Sequence, residues 1–260
     1  MAHMNEKLVT VDGKELHTEY THTFEGRPVL VFLHDSLGSA QLWRGFPEKL
    51  SQAAECNVLL YDRLGYGKSH PMEDHYRTND YMELEADLLN GLLEKLGISD
   101  AILFGHSDGG TIALIAAAKY PERIKAVICE AGHIFVEDIT IKGVRDSLQA
   151  YRTTNLAVRL RKYHGEKVEM LFRAWTEIWL SERFCNWSIE YLLKDIACPL
   201  LFIQGEADEY GTMDQVEKTV SQVTGIAEKY SIPGIGHSPH KEVPDKVINK
   251  AAEFIQRLQG

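Results

Sequence analysis

The chain has 260 residues, 44% of them hydrophobic, which suits one sizeable globular domain or a domain that carries a large insertion. Its formal net charge of -10 disfavours nucleic acid and anionic membranes as partners, because both attract clustered Lys and Arg. The four cysteines are scattered without metal-ligand spacing, and no run is apolar enough for a signal peptide or long enough to span a membrane. We therefore predict reduced thiols and a cytoplasmic protein.

A hairpin is predicted at the start of the chain. The segments "KLVTVDG" and "ELHTEYTHT" alternate polar and apolar residues, and Asp12-Gly13 between them is a pair favoured in tight turns. We expect an antiparallel pair added at the edge of a sheet. Residues 1–3 match a cloning remnant that precedes a native start at Met4.

Short apolar runs rich in Val, Ile and Leu follow the hairpin, and their lack of alternation predicts strands that are buried on both faces. These runs cover residues 29–33, 58–61, 101–104, 126–129 and 200–203. Helical spacing of apolar residues separates or follows them, at residues 80–96, 111–118 and 247–258. Strands that alternate with helices predict an α/β fold, with a mostly parallel central sheet and helices on both faces.

The stretch from residue 134 to 196 breaks this alternation. It contains no strand-like run, but its apolar residues recur at helical spacing, and Trp175 and Trp179 lie on one stripe. The stripe is typical of plain helix packing, and it also fits a helical lid whose apolar face covers a site. We predict a helical cap at 134–196, inserted into a core domain made of residues 1–133 and 197–260.

The motif "GHSDGG" places Ser107 between Gly105 and Gly109, at the junction of a predicted strand and a predicted helix. This is the context that a G-x-S-x-G nucleophile elbow requires, because a side chain at either flanking position would collide with backbone in so tight a turn. The helix start beneath the serine supplies free N–H groups, which suit a developing oxyanion.

A serine hydroxyl needs a base, and the base needs an orienting acid. Asp208 in "GEADEYG" and His237 in "GIGHSPH" both follow strand-like runs, in the chain order serine, acid, histidine. Glu206 and Glu209 are rival acids beside Asp208. The position at the strand end favours Asp208.

With these residues, the chain resembles the α/β-hydrolase superfamily over nearly its whole length. The motifs that carry the resemblance are "FLHDSLGS", "YDRLGYGKS", "GHSDGG", "GEADEY" and "GIGHSPH". The resemblance implies Ser107 as nucleophile, His237 as general base and acid, Asp208 as its partner, and a helical cap. "GHSDGG" with "HIFVED" is most similar to biphenyl-hydrolase-like or valacyclovirase-like enzymes and to the carbon–carbon bond (meta-cleavage product) hydrolases.

One departure from the family concerns the oxyanion hole. The family usually has His-Gly where this chain has His34-Asp35, and the loop that follows normally supplies one oxyanion N–H. The resemblance assigns this donor to Ser36, with Leu37 as the alternative, and assigns the second donor to the amide of Asp108.

The Asp108 carboxylate has two interpretations. A carboxylate in the first turn stabilises a helix, which requires no further role. Alternatively, it faces the pocket and receives a cationic or hydrogen-bond-donating group on the acyl side of the substrate, which predicts a preference for amino-acyl esters. We predict substrate contacts for Asp108, His133, Trp175 and Trp179.

Two further signals are weak. "GYGKS" lacks the earlier glycine of a phosphate-binding loop, and the HxxH spacing of His237 and His240 lacks further ligands for a metal set. We expect no metal and no organic cofactor. His34 and His106 are expected to make structural hydrogen bonds near the site.

The sequence thus predicts a serine hydrolase of small to medium carboxylic esters that works through an acyl-enzyme. Amides, thioesters and carbon–carbon bond cleavage of the meta-cleavage type stay open, since one triad serves them all. A ligand receptor on a hydrolase scaffold is the alternative from another class. We expect a small-molecule partner, no nucleic acid or membrane, and a monomer or homodimer.

Overall fold

A computed structural model describes residues 4–258, and the predicted cloning remnant lies outside this range. Its strands form one sheet in the order β1-β2-β4-β3-β5-β6-β7-β8. The strands are β1 (Asn5–Val11), β2 (Lys14–Tyr20), β3 (Val29–Leu33), β4 (Asn57–Tyr61), β5 (Ala101–His106), β6 (Ile124–Glu130), β7 (Leu200–Gly205) and β8 (Ala227–Ile232). Pairing is antiparallel for β1 with β2 and β2 with β4, and parallel from β4 to β8.

Helices connect the parallel strands and cover both faces of the sheet. They are α1 (Phe46–Ala54), α2 (Tyr81–Lys95), α3 (Asp108–Lys119), α4 (Asp138–Thr153), α5 (Leu156–His164), α6 (Val168–Trp179), α7 (Glu190–Leu193), α8 (Met213–Gln222), α9 (Pro239–Glu242) and α10 (Pro244–Leu258). The predicted α/β class with a mostly parallel sheet is confirmed. In the described part of the chain, no helix is both long and apolar enough to cross a membrane.

The central strands explain why their apolar runs lack alternation. Side chains of β3 point alternately into two hydrophobic cores: Val31 and Leu33 join the core under α2 and α3, while Leu30 and Phe32 join the core under α1 and α10. All five residues of β3 are buried. Both faces of each strand must therefore be apolar, which produces a continuous run in the sequence.

The N-terminal hairpin forms as predicted. Val11 pairs with Lys14, and the two residues between them have positive φ angles, 48° at Asp12 and 77° at Gly13. Positive φ at both central positions is typical of a type I′ turn, whose twist matches that of the strands. β1 is the outer strand of the sheet.

Two boundaries differ from the prediction for the same reason. The helix predicted at 111–118 begins at Asp108, and the strand predicted at 101–104 continues to His106. Polar residues and glycines at these ends are typical of loops, so the sequence predicts shorter elements. In the structure, Asp108 and His106 are buried at the edge of the sheet and belong to the helix and the strand. Helices α1, α8 and α9 have no counterpart in the prediction.

Between β6 and β7 the chain forms α4 to α7, within the range 134–196 that was predicted to be helical. Its helices attach to loops at the carboxyl edge of the sheet. His164 accepts the Gly67 N–H at 3.0 Å through Nδ1 and faces the Leu37 carbonyl at 3.1 Å through Nε2, and Lys167 donates to the Tyr66 carbonyl at 3.0 Å. The division into core and lid stays a prediction.

Candidate active site

Ser107 lies at the turn between β5 and α3 with φ 55° and ψ -122°, a conformation that non-glycine residues seldom adopt. Its flanking glycines have no room for a side chain. A Cβ at Gly105 would lie 2.1 Å from the Gly109 carbonyl oxygen, and a Cβ at Gly109 would lie 2.1 Å from the Leu33 carbonyl oxygen. Strand β5, helix α3 and the end of β3 thus meet backbone to backbone, which explains the glycine spacing around the serine.

A hydroxyl, an imidazole and a carboxylate form one hydrogen-bonded array at this edge of the sheet. The Nε2 atom of His237 lies 2.9 Å from Oγ of Ser107, and its Nδ1 lies 2.9 Å from both carboxylate oxygens of Asp208. With the ring proton on Nδ1 facing the carboxylate, Nε2 can accept the serine proton. Ser107 follows β5, Asp208 follows β7 and His237 follows β8, so the parallel sheet brings them together from distant parts of the chain.

Asp208 is held from several sides. Its carboxylate accepts the Tyr210 amide at 2.7 Å, the Gly211 amide at 3.3 Å and the Gln204 side-chain amide at 2.7 Å. The rival acids lie elsewhere: Glu206 is exposed, and the Glu209 carboxylate accepts the backbone N–H of His237 at 3.3 Å. Among these three acids, the imidazole bonds to Asp208.

Asp208 and His237 each shift the pKa of the other. Burial disfavours the charged imidazole, but the hydrogen bond and the charge of Asp208 outweigh it and raise the pKa of His237. Burial likewise disfavours the carboxylate, yet the hydrogen bond from His237 lowers the pKa of Asp208. The pair therefore favours an ionised acid beside a base that gains a proton readily.

The loop after β3 distinguishes the two candidate oxyanion donors. The Leu37 amide donates to Oδ1 of Asp35 at 2.9 Å and is already engaged. The Ser36 amide has no acceptor among residues 4–258. The Asp108 amide is the first N–H of α3, which has no acceptor within a helix. Ser36 and Asp108 are thus the pair with free amides beside Ser107.

The Asp108 carboxylate is buried and partly compensated. Oδ2 accepts the Tyr81 hydroxyl at 3.1 Å and lies 3.8 Å from Nη2 of Arg63, while the Trp179 indole N–H donates to the same hydroxyl at 3.1 Å. Arg63 is fully buried, and Tyr81 comes from α2. Neither residue was predicted to belong to the site, although Arg63 lies within the motif "YDRLGYGKS", which was the one available signal.

A cavity of about 240 Å³ opens beside Ser107. Its wall is apolar on the side of helices α4 and α6, where Val144, Trp175 and Trp179 lie, and carries carboxylates elsewhere. The lining residues are Asp35, Ser36, Leu37, His106, Ser107, Asp108, His133, Thr140, Val144, Trp175, Trp179, Glu209, Tyr210, His237 and Ser238. Every residue predicted to contact substrate or oxyanion is in this set, and no Lys or Arg is.

His133 is fixed by its neighbours within this wall. Its Nε2 lies 3.1 Å from the Tyr210 carbonyl, and its ring lies edge-on to Trp179 at 5.4 Å. Burial and the nearby charge of His237 lower the pKa of His133. The ring is therefore a neutral part of the cavity wall that donates to Tyr210.

The other predicted histidine contacts are present. His34 lies 2.8 Å from the Asp35 carbonyl through Nδ1 and accepts the Arg63 amide at 3.0 Å through Nε2.

His240 contacts Glu130, and the ligand atoms of His106, Glu130 and His240 lie within 4.8 Å of one another. The contact between His240 and Glu130 is a short hydrogen bond of 2.5 Å, so one of these pairs is already hydrogen-bonded.

A family model described as the alpha/beta hydrolase fold matches residues 28–176, more than half of the chain. The chain belongs to the α/β-hydrolase fold family. The resemblance predicted from the motifs is confirmed, and the protein is a hydrolase.

Relatives and solved structures agree with this membership. Serine hydrolase BPHL of Homo sapiens is 29% identical, over 95% of this chain and 85% of its own length. The 2-hydroxy-6-oxononadienedioate/2-hydroxy-6-oxononatrienedioate hydrolase of Burkholderia vietnamiensis is 36% identical, over 96% of this chain and 94% of its own. The enol-lactonase of Burkholderia xenovorans shares the fold, with a TM-score of 0.76 at 20% identity over 96% of this chain and 99% of that one.

Proposed function

We propose that this hydrolase cleaves small carboxylic esters through a Ser107-His237-Asp208 triad and an acyl-enzyme. The 2.9 Å contact between the imidazole and the serine hydroxyl is the observation that carries the proposal. His237 takes the hydroxyl proton as Ser107 attacks the carbonyl carbon, and the imidazolium then protonates the leaving alcohol. Water, activated by the same imidazole, releases the acid.

Charge that develops on the carbonyl oxygen is received by the amides of Ser36 and Asp108. Both amides are free of other acceptors, and each donor of this kind typically stabilises the transition state by about 3–4 kcal/mol. The fixed backbone at the elbow supports this role, because the Asp108 amide cannot rotate away without moving α3.

The cavity supports a small acyl group that carries an amine. Its volume of about 240 Å³ is below the range of about 300–1,000 Å³ typical of drug-sized ligands. Asp35, Asp108 and Glu209 line it without a lining Lys or Arg, so a cationic group is favoured there. Two of these charges are partly compensated: Lys241 lies 3.4 Å from Oδ2 of Asp35, and Arg63 lies 3.8 Å from Oδ2 of Asp108. In each case the cation approaches a single oxygen of the carboxylate.

Carbon–carbon bond cleavage is the second candidate, and the 36% identical relative, named for a dioate substrate, favours it. A dioate would bring two negative charges to a wall of three carboxylates. This electrostatic cost supports the ester as the substrate class. Five other points stay predictions. They are amides and thioesters as substrates, a receptor role, a lid function for residues 134–196, a cytoplasmic location, and a monomeric or homodimeric state.

The decisive experiment compares the wild type with Ser107→Ala on p-nitrophenyl esters, amino-acyl esters and a ring-fission dioate. We expect the substitution to lower turnover by on the order of 10⁶-fold and to abolish labelling by a fluorophosphonate. Retained turnover would refute the triad. An unlabelled wild type that binds a ligand tightly would favour a receptor.

A second variant, Asp108→Asn, tests the acyl-side preference. The amide keeps the shape of the side chain and removes its charge, so we expect kcat/KM for amino-acyl esters to fall by about tenfold relative to plain acyl esters. An unchanged ratio between the two substrate classes would contradict the role of the carboxylate.

A further inference from the structure

Asp35 stands where the family usually has glycine, and its carboxylate reaches two separate parts of the site. Oδ1 accepts the Leu37 amide at 2.9 Å, within the loop that carries the Ser36 amide. Oδ2 lies 3.3 Å from Nδ1 of His106, the residue before the nucleophile. One side chain thus contacts both the oxyanion loop and the elbow.

His106 carries the connection further. Its second ring nitrogen, Nε2, lies 2.8 Å from the backbone carbonyl oxygen of His237. The imidazole is buried and faces Asp35 on one side and the His237 backbone on the other. The contacts form a chain from the oxyanion loop through Asp35 and His106 to the loop of the base.

Asp35 itself is held firmly. Its carbonyl oxygen accepts the Gly38 amide at 3.2 Å and Nη2 of Arg63 at 3.0 Å. Burial disfavours the ionised form, but Lys241 and the hydrogen bond from His106 hold the pKa of Asp35 well below its usual range. The carboxylate is therefore a fixed anion.

We propose that Asp35 is a positioning residue that ties the oxyanion loop to the loop of His237 through His106. The inference rests on the proposed function, since it assigns roles relative to the Ser36 amide and the His237 base. Without the carboxylate, the Leu37 amide loses its acceptor, which frees the oxyanion loop to shift. His106 loses its anchor, so the backbone of His237 is held less tightly against Ser107.

This series of contacts, from the oxyanion loop through Asp35 and His106 to His237, predicts a specific kinetic signature. Misplacement of reacting groups slows the chemical step more than it weakens substrate binding, so kcat should fall while KM stays within about threefold. A merely structural role would lower the unfolding temperature and the yield of folded enzyme without changing kcat per folded molecule.

Two substitutions of Asp35 separate its contacts. Asp35→Asn keeps one side-chain oxygen for the Leu37 amide and removes the charge that faces His106; we expect kcat to fall about tenfold. Asp35→Ala removes both contacts, together with the 3.4 Å contact between Oδ2 and Nζ of Lys241, and we expect a fall of about a hundredfold. If the alanine variant does not fold, the asparagine variant, of nearly equal shape, decides the question.

A double-mutant cycle tests the path through His106. If Asp35 acts on His237 through His106, then Asp35→Asn combined with His106→Ala should have the kcat of His106→Ala alone. The matched control is Asp100→Asn at the opposite end of β5, where the carboxylate contacts two exposed side chains, Lys125 at 3.2 Å and the hydroxyl of Ser99 at 3.2 Å. This control should match the wild type.

The results separate failure of the inference from failure of the proposed function. If Ser107→Ala abolishes esterase activity while Asp35→Ala keeps kcat within about twofold of the wild type, the positioning role is wrong and the triad stands. Effects that multiply in the double mutant would also overturn the path through His106. If Ser107→Ala remains active, the proposed function itself fails.

Discussion

The loops at the carboxyl edge of the sheet and the helical segment at 134–196, predicted to be an insertion, contribute to the same cavity under different constraints. At the edge, backbone meets backbone, and a single Cβ at Gly109 would lie 2.1 Å from the Leu33 carbonyl oxygen. The insertion meets the cavity through side chains such as Val144 and Trp175, which other apolar residues can replace. We therefore propose that the edge determines the reaction and that residues 134–196 determine which acyl group fits.

The strongest test of this contrast is Gly109→Ala. The added methyl group forces β3 and α3 apart, so we expect loss of folded protein or of all fluorophosphonate labelling, measured with circular dichroism as the fold check. Gly45→Ala is the matched control, because Gly45 has φ -81° and nothing within 4 Å of its Cβ position. A folded, fully active Gly109→Ala enzyme would show that the elbow is not the rigid element.

Asp208→Asn tests the acid of the edge region. The neutral amide cannot stabilise the imidazolium, and it does not fix the tautomer of the neutral imidazole. We therefore expect kcat to fall by about 10⁴-fold in steady-state assays. Glu209→Gln is the control, because its carboxylate contacts the His237 backbone and not the ring. A larger loss for Glu209→Gln would reassign the acid.

The pH–rate profile reports on the same pair. The reaction needs neutral His237, whose pKa is raised above the ordinary value of 6.5, so kcat/KM should rise with pH and reach half its plateau above pH 6.5. In residual Asp208→Asn activity, loss of the negative charge should move this midpoint to lower pH. A midpoint that does not move would exclude control of the base by Asp208.

Val144→Ala tests the insertion. Removing two methyl groups from the wall enlarges the cavity, so we expect the kcat/KM ratio of a longer to a shorter acyl ester to rise by about tenfold, with Ser107 still fully labelled. Val158→Ala is the control, since Val158 lies on the same insertion and is 63% exposed. An unchanged ratio would place the acyl group away from this wall.

The smallest expected effect is on the pH dependence of stability, through His164, which joins helix α5 to the loop at Gly67. His164 accepts the Gly67 amide through Nδ1, and burial lowers its pKa, so the folded state resists the proton that the unfolded chain takes up near pH 6.5. Stability should therefore fall as pH drops below about 6.5, by at most about 1.4 kcal/mol per pH unit for this group. His164→Gln should reduce this loss in denaturant titrations; an unchanged pH dependence would assign it to other groups.

Much of the edge region could be predicted from sequence because its requirements are local. The positive φ of Ser107, the glycines beside it and the apolar runs before each loop all leave a trace within a few residues. The contacts of Asp108 with Arg63 and Tyr81 left no such trace in the sequence. They join the start of α3 to the loop after β4 and to α2, which are far apart in the chain. The departure at Asp35 was visible in the motif, but its contact with His106 was not, since the two residues lie far apart in the chain.

The sequence by itself determined the fold class, the nucleophile elbow and the order of hydroxyl, acid and imidazole, because a buried parallel sheet and a tight turn allow few residue types. Only the tertiary structure decided that Leu37 has its amide engaged, that the cavity wall carries three carboxylates, and which oxygen of Asp108 is compensated. These features depend on distances between side chains that meet only after folding. Periodicity and spacing along the chain do not encode such distances.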